Sequence, residues 1–539
     1  VIPPYVTPRE CSRHVVVSSC CEHMALPPMA SWKAIHPRKV PLCIPPKWDA
    51  CVSKSFDVYW RLPECFRQPV YIMTPCSHNE FVGLRGRMLK ETEHRYSIDQ
   101  TLVSQILDEI AAMIKFEQCD VTPLSLTVAL SNVPSSKLLR YESAINDIYE
   151  RGCAGPKFAE NSAFVKTEIY SEMKCPRIIT NVNPEFNLWW SKFIDPLEHA
   201  MLTLPFVTKG RNYVERGEAF FDRVYGQAYL EGDCSRAEAH QRSEFISDSE
   251  FGLVSRLYTR LEDLFAYKHG LELSAIKIGT TSNGVKFAYK GCVGSGIRST
   301  GFGTTLRVAI AARAFEILNN TGGFYNFVVD GDDNIIKIPF GMNSWIDTFS
   351  MCGFDAKLIY RTDYHDVDFC SGKFIQNKLG QFMFVQNIRK LLTNAAVIKK
   401  TNFKHVSTHF ATLAVMYEKM YPGFPVIRAL VQCMKRNTSG VHFSRRIADE
   451  MNPSFLHSFD RPAKPFQLDS TVYAEIDLCF GVNYLECKWL EQFFSNCDFG
   501  LRRDECKRLR AFRLQGQRID SSIVDIVDDI LEIDMFDPH

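Results

Sequence analysis

The sequence predicts an α+β fold made of several subdomains. Three observations carry that expectation. Two β-forming stretches flank a glycine-containing polar turn in the run Phe327 to Ile336. Glycine-punctuated loops alternate with β-rich and helical runs from about 160 to 375. Apolar residues at helical spacing lie before and after that region. With 539 residues, 46% hydrophobic and 12% aromatic, the chain is long enough to bury more than one packing centre.

Residues 1 to about 95 are rich in Pro and Cys and read as an irregular wrapping segment. Within it Cys11, His14, Cys20, Cys21 and His23 have the residue types of a zinc site, but their spacing matches no standard pair-of-pairs pattern. A helix is expected from a capping box of Ser97 and Gln100, running through Val103, Ile106, Leu107, Ile110, Met113 and Ile114. Further helices are expected over Ser135 to Ile148, Val406 to Tyr421 and Val426 to Lys435. At the end of the chain a basic segment containing Arg502, Arg503, Lys507 and Arg508 precedes an acidic one containing Asp525, Asp528 and Asp529, which reads as a solvated helix and polar tail.

Several classes are disfavoured at once. A net charge of +1 excludes a surface-wide basic field, though not a basic channel balanced elsewhere. No apolar run is long enough for a transmembrane helix. The 19 cysteines, with no secretory segment beside them, are expected to be reduced and mostly buried. The first residue is Val1, with no initiator Met, so a trimmed chain, a polyprotein product or the downstream part of a longer translation product is expected.

The chemistry concentrates at three places. In Asp330-Gly331-Asp332-Asp333, Gly331 permits a tight hairpin that fixes two carboxylates side by side at its tip, a costly arrangement unless cations neutralise it. An apolar approach from Phe221 to Leu230 reads as a strand that ends at Asp233. Beside the hairpin, that strand would bring Asp233 to Asp332 and Asp333, an all-oxygen set suited to two divalent ions. A loop from Gly291 to Thr305, rich in glycine and small hydroxyl residues, is expected to be mobile, with exposed backbone donors, ahead of a helix through Leu306, Ile310 and Phe315. Lys166, Lys174 and Arg177 place cations among β-forming residues, suited to gripping a triphosphate.

Taken together and in this order, these segments resemble the RNA-dependent RNA polymerases of positive-strand RNA viruses, specifically the tombusvirus-like group. Phe164 to Ile178 resembles motif F, Asp233 to Glu238 motif A, and Ser295-Gly296 to Thr300 motif B. Gly331-Asp332-Asp333 resembles motif C, Gly353 to Lys357 motif D, and Asp368-Phe369-Cys370-Ser371 motif E. Ile194 to Glu198 and Thr208 to Arg211 also match connecting phrases of that family. The resemblance covers about residues 120 to 400.

It implies a right-hand fold: fingers, a palm of antiparallel sheet plus helices, and a helical thumb. The expected division is an N-terminal extension of the fingers over 1–95 and fingers over 96–227. Palm follows over 228–250, fingers again over 251–290, palm over 291–375, and thumb with tail over 376–539. It further implies template-directed nucleotidyl transfer from NTPs to an RNA 3′-hydroxyl, replicating and transcribing a viral genome with Mg²⁺, or Mn²⁺ in its place. Asp233, Asp332 and Asp333 would hold the ions, and Lys357 would protonate the leaving group. Lys166, Lys174, Arg177, Glu238, Ser295, Thr300 and Thr304 would contact the nucleotide, and Gly296, Ser299, Cys370 and Ser371 the RNA. A replicase companion protein or an upstream membrane-anchoring region is implied too, at replication complexes on membranes in the host cytoplasm.

Two departures from the family pattern stand out. The second motif A acid, usually Asp, is Glu238, and the motif B Asn that partners it on the ribose 2′-hydroxyl is Thr304. Ile297 replaces the group's Asp after Ser-Gly, and Ser299 offers an alternative hydroxyl. A reverse transcriptase would share the paired-carboxylate hairpin, but with an aromatic-x-Asp-Asp turn and a bulky residue against the 2′-hydroxyl, neither of which is present. A non-catalytic RNA-binding scaffold would not need the acids Asp233, Asp332 and Asp333 intact.

Overall fold

The computed structural model describes residues 56–499 apart from 61, 74, 89–93, 135–136, 153–157, 173, 292, 400–402 and 452–465. The N-terminal cysteine–histidine cluster and the charged C-terminal segments lie outside the described residues. Helices and strands mix throughout, and strand pairing is antiparallel with one parallel exception.

Helix α1, Gln100–Phe116, buries the expected stripe of Val103, Ile106, Leu107, Ile110 and Ile114. Its start differs from the expected capping box. Asp99 caps it by accepting from the Thr101 N–H at 2.9 Å, while the Ser97 N–H is spent on the Met351 carbonyl at 2.8 Å. The next expected helix is displaced towards the C-terminus, over Leu138–Arg151. Strands β1, Asn161–Val165, and β2, Ile178–Val182, form a hairpin that leads into α2, Pro184–Thr203, whose first turn Pro184 pre-sets.

The stretch expected as a strand from Phe221 is instead the end of helix α3, Tyr213–Arg223. A capping box of Asn212 and Glu215 nucleates α3, and Phe220 stacks on Phe374 with ring centroids 4.1 Å apart. Strand β3 begins only at Tyr229 and runs to Cys234. After it come α4, Leu261–Ser274, and a second hairpin, β4, Ile276–Thr281, and β5, Lys286–Lys290. Strand β1 joins β4 in parallel, giving a four-stranded sheet in the order β2-β1-β4-β5.

Helix α5, Thr300–Leu318, then crosses beneath the central sheet, and nearly every side chain from Phe302 to Glu316 is buried. The central sheet has the order β8-β3-β7-β6, with β6 at Phe327–Asp330, β7 at Asp333–Lys337 and β8 at Ala356–Arg361. Both of its faces are covered, which explains why its strands read as continuous apolar runs rather than as alternating ones. Leu230, Phe327, Val329 and Ile336 enter a core shared with Ile106, Trp190, Phe193 and Phe315. Tyr229, Val328 and Ile335 enter a second core with Phe220, Phe374 and Phe384.

The second core continues through the hairpin β9, Gly372–Gln376, and β10, Phe382–Gln386, into a helical C-terminal part. That part contains α6, Ile388–Ala396, α7, Phe403–Met420, α8, Ile427–Asn437, α9, Thr471–Phe480, and α10, Tyr484–Asn496. The chain ahead of α1 bridges distant parts of the molecule. Phe56–Val58 pairs with Val397–Lys399, and Tyr71–Ile72 with Ile169–Tyr170.

Candidate active site

The register of the central sheet sets four charged residues in one transverse row. Lys357 on β8 faces Asp233 on β3, Asp233 faces Asp333 on β7, and Asp333 faces Asp330 on β6. Directly paired residues of antiparallel strands project to one face, so all four point the same way. Asp332 stands at the hairpin tip, where Gly331 takes φ +67°, a left-handed conformation that suits glycine. The Gly331 N–H donates to Thr305 Oγ1 on α5 at 3.3 Å, which ties the tip to the helix below. Behind the row, Asn334 Nδ2 donates to the Gly232 carbonyl at 3.2 Å and packs where a side chain at position 232 would stand.

Burial, and behind it the crowding of carboxylates, shows in the protonation of Asp333. Burial pushes the Asp333 carboxyl up to about 7, and Asp332, Asp233 and Asp330 push the same way. The Cys370 thiol opposes them by hydrogen bonding to Asp333. Cys370 is itself held far above the usual thiol range by burial and by Asp330 and Asp333, so it stays a neutral donor. Asp330 is removed from the competition for cations: Arg216 on α3 lies 2.6 Å from its Oδ2. Burial alone would lower Arg216, but Asp330, Cys370 and Tyr213 together outweigh it and keep the guanidinium charged. The Arg216 guanidinium also lies over the Tyr213 and Phe384 rings, at 5.8 and 5.4 Å from their centroids. What remains are three carboxylates, Asp233, Asp332 and Asp333, near enough to repel one another, with Lys357 paired across the sheet from Asp233. This donor set fits hard divalent cations.

A pH dependence follows from the raised Asp333. In the unfolded chain that carboxyl ionises near 3.8; in the folded, metal-free chain it holds its proton to about 7. The folded state therefore binds more protons across that window, and stability falls as pH rises through it. A divalent cation relieves the repulsion only once the carboxylates are ionised. Thermal unfolding should therefore show a small Mg²⁺-induced rise in Tm at pH 5 and a larger one at pH 8. A rise independent of pH would contradict this.

Two consecutive left-handed residues, Cys370 at φ +49° and Ser371 at φ +58°, turn the chain just before β9. The turn presents both side chains near the row, and Ser371 Oγ accepts from Lys390 Nζ on α6 at 2.9 Å. Burial lowers the Lys390 ammonium, as do the facing cations Lys174 and Arg177; Glu168 and Asp333 raise it. One ammonium thus feels the hairpin cations, the aspartates and the Cys370-Ser371 turn together. Nothing in the sequence around Lys390 signalled this, because α6 is remote in order from the other groups.

Among the expected triphosphate cations, Lys166 Nζ lies 2.7 Å from Glu168 and Arg177 3.6 Å from the same carboxylate. Lys174 lies 3.4 Å from Glu172. All three sit on or beside the β1–β2 hairpin, and Lys174 and Arg177 face Lys390.

The loop before α5 differs from the expected mobile loop with free donors. Its Gly296 N–H donates to the Thr180 carbonyl at 2.9 Å, and its Arg298 N–H to Asn187 Oδ1 at 3.0 Å. Ser295 Oγ accepts from the Thr180 N–H at 3.2 Å and donates to the Ile178 carbonyl at 3.1 Å. Thr300 Oγ1 donates within the loop, to the Gly294 carbonyl at 2.5 Å. Arg298 reaches Asp195 at 2.6 Å and Glu198 at 3.5 Å, and Lys209 joins Glu198 at 2.5 Å. The two connecting phrases noted in the sequence are therefore the acidic and basic partners that fasten this loop. Ser299 is buried at the start of α5.

Thr304 is buried too, and its partner is Gln241, whose Nε2 lies 3.2 Å from Thr304 Oγ1. Gln241 in turn accepts from Arg307 Nε at 2.5 Å, and Arg307 pairs with the buried Glu250. Glu238 lies in the short helical turn Ala237–His240, and its side chain is outside the described residues.

No protein-family model matches the chain. Two curated relatives do. Over 245 residues, 41% of this chain, it is 26% identical to the RNA-directed RNA polymerase of Groundnut rosette virus (strain MC1). Over 385 residues, 66% of this chain, it is 22% identical to the RNA-directed RNA polymerase of Turnip crinkle virus. The matches cover 27% and 48% of those relatives, so the chain spans about half of their length or less. In sequence, the chain is thus similar to a class of viral RNA-directed RNA polymerases. The particular likeness is to the tombusvirus-like group, as the motifs implied.

Proposed function

We propose that this chain is an RNA-dependent RNA polymerase that transfers nucleotides from NTPs to an RNA 3′-hydroxyl under direction of an RNA template. The observation that carries the reading is the alignment of Asp233 with Asp333 across paired strands, with Asp332 at the adjoining tip. On this reading the central sheet is the palm, the β2-β1-β4-β5 sheet with the helices around it is the fingers, and the C-terminal helices are the thumb.

Asp233, Asp332 and Asp333 would hold two divalent ions, Mg²⁺ or Mn²⁺. When bound, such ions supply charge neutralisation at the attacking oxygen, the α-phosphate and the departing pyrophosphate. The rest falls to the chain's own residues. Lys166, Lys174, Arg177 and Lys390 grip the triphosphate and orient its α-phosphate for in-line attack. The 3′-hydroxyl gives up its proton to solvent as its oxygen bonds to the α-phosphorus and the bond from that phosphorus to the bridging oxygen of the β-phosphate breaks. Lys357, exposed on β8 opposite Asp233, delivers a proton to the leaving pyrophosphate. The turn at Cys370 and Ser371 steadies the growing strand. By resemblance, Glu238 and Thr304 read the ribose 2′-hydroxyl, with Gln241 holding Thr304. Template choice comes from base pairing, with the protein contacting RNA mainly through phosphates. Work at membrane-associated replication complexes in the host cytoplasm, with an anchoring region or companion protein, completes the reading.

The test is extension of primed and unprimed RNA templates by the purified chain with Mg²⁺ and NTPs. Template-dependent incorporation that disappears on chelation is expected; preference for dNTPs would favour a reverse transcriptase. Substituting Lys390→Met should raise the apparent KM for NTP about 10- to 100-fold, as expected for loss of one charge-assisted contact. A KM unchanged within about twofold would separate Lys390 from the triphosphate.

A further inference from the structure

Beside strand β9, a turn and a helix bring together three side chains the polymerase reading does not use. They are His365 in the turn Tyr364–Asp366, and Glu475 and Cys479 on α9. Their ligating atoms all lie within 4.8 Å of one another. Glu475 and Cys479 are four residues apart, so they stack on one helix face a turn apart.

The surroundings single the trio out from an ordinary ion pair. His365 Nδ1 lies 2.6 Å from Asp363 Oδ1, and Nε2 lies 3.2 Å from Glu475 Oε1. A carboxylate on Nδ1 fixes the tautomer whose Nε2 lone pair faces the other two groups, as metal-binding histidines require. Glu475 Oε2 is taken by the Tyr364 hydroxyl at 2.8 Å and the Gln376 N–H at 3.0 Å, which fixes the carboxylate with Oε1 towards His365. Cys479 is buried, and its Sγ has only a long contact, 3.7 Å, to the Phe374 carbonyl. The nearby Lys373 ammonium is engaged elsewhere, by the His365 carbonyl at 2.7 Å and Asp368 at 3.5 Å.

We propose that His365, Glu475 and Cys479 bind one Zn²⁺ that staples α9 to the turn ahead of β9. Imidazole nitrogen, carboxylate oxygen and thiolate sulfur are a mixed set that suits zinc and not magnesium. Thiolate and carboxylate together balance the ion's two charges, and water fills the fourth tetrahedral position. Binding displaces the Cys479 proton to solvent, so affinity rises with pH. The ligand atoms need to close by only about 1 Å to reach tetrahedral separations at bond lengths of ~2.0–2.3 Å. Asp363 is a positioning residue that acts through His365.

The test uses the full chain, stripped with a chelator and titrated with Zn²⁺ alone, with zinc content read by mass spectrometry. The Cys479→Ser and His365→Gln variants should each bind one equivalent less than the unsubstituted chain and lose the zinc-induced rise in Tm. Asp363→Asn should bind about 10- to 100-fold more weakly. Loading with Co²⁺ adds a readout that a packing role would not move: a thiolate-to-cobalt absorption band reduced in Cys479→Ser and kept in Cys487→Ser. The same zinc content in all variants, or no zinc taken up by the unsubstituted chain, would overturn the proposal. So would a cobalt band unchanged in Cys479→Ser.

Discussion

Asp332→Asn reduces nucleotide incorporation at least ~10³-fold while the chain stays folded and bound to RNA. The substitution keeps the size of the side chain but removes one charge from the hairpin tip and turns one acceptor oxygen into an N–H donor. Metal-assisted charge stabilisation is worth several kcal/mol, and each ~1.4 kcal/mol is a factor of ten in rate. RNA affinity rests on phosphate contacts and should change by less than about threefold in a fluorescence-anisotropy titration. A stability readout separates this loss from misfolding. Asp332 adds to the repulsion that raises Asp333, so removing its charge should leave the metal-free Tm unchanged or higher near pH 8. A variant that still extends RNA at more than about a tenth of the unsubstituted rate would remove Asp332 from the metal site.

Arg216→Met destabilises the fold by about 3–5 kcal/mol, the cost of leaving a buried charge without its partner. Arg216 and Asp330 are both largely shielded from water, at 10% and 18% side-chain exposure. Loss of the guanidinium leaves the Asp330 carboxylate facing Asp333 across the hairpin, so ionisation of Asp333 becomes harder. The double variant Arg216→Met, Asp330→Asn should recover a large part of the loss, because no unpaired charge remains. Arg216→Lys should not rescue fully, since an ammonium cannot reproduce a planar cation over the Tyr213 and Phe384 rings. Urea unfolding at pH 8 measures all three. A single-variant cost below about 1 kcal/mol would show that the pair carries little.

The hairpin of Asp332 and Asp333 was legible because its causes are local: one glycine at the turn and apolar arms on both sides. The meeting of Asp233 with it followed from a strand ending at that residue, although the approach to the strand was misread. Apolar periodicity over Phe221 to Leu230 is ambiguous at short range, and the Asn212–Glu215 capping box upstream decides for helix. Asp99 outcompeted Ser97 as a cap because the Ser97 backbone is held by Met351, more than 250 residues away in order.

The loop before α5 shows the same limit in a functional place. Its glycines predict exposed backbone donors, yet Gly296 is small because Asn181 and the Thr180 carbonyl press against it. Close approach between backbones leaves the same sequence mark as an open loop does. Lys390, Arg216 and Gln241 had no local signal at all, since each matters only through the side chains it meets after folding. What pointed to them is geometry: a 2.9 Å contact to Ser371, a 2.6 Å pair with Asp330, and a 3.2 Å contact to Thr304.

The most direct measurement is anomalous diffraction from crystals of the chain with RNA, an NTP and Mn²⁺. Two Mn²⁺ peaks roughly 3.5–4 Å apart, ligated by Asp233 and Asp332 with Asp333 adjoining, are the expected result. Manganese bound elsewhere, with these three side chains free of metal while RNA and nucleotide occupy the cleft, would contradict the account.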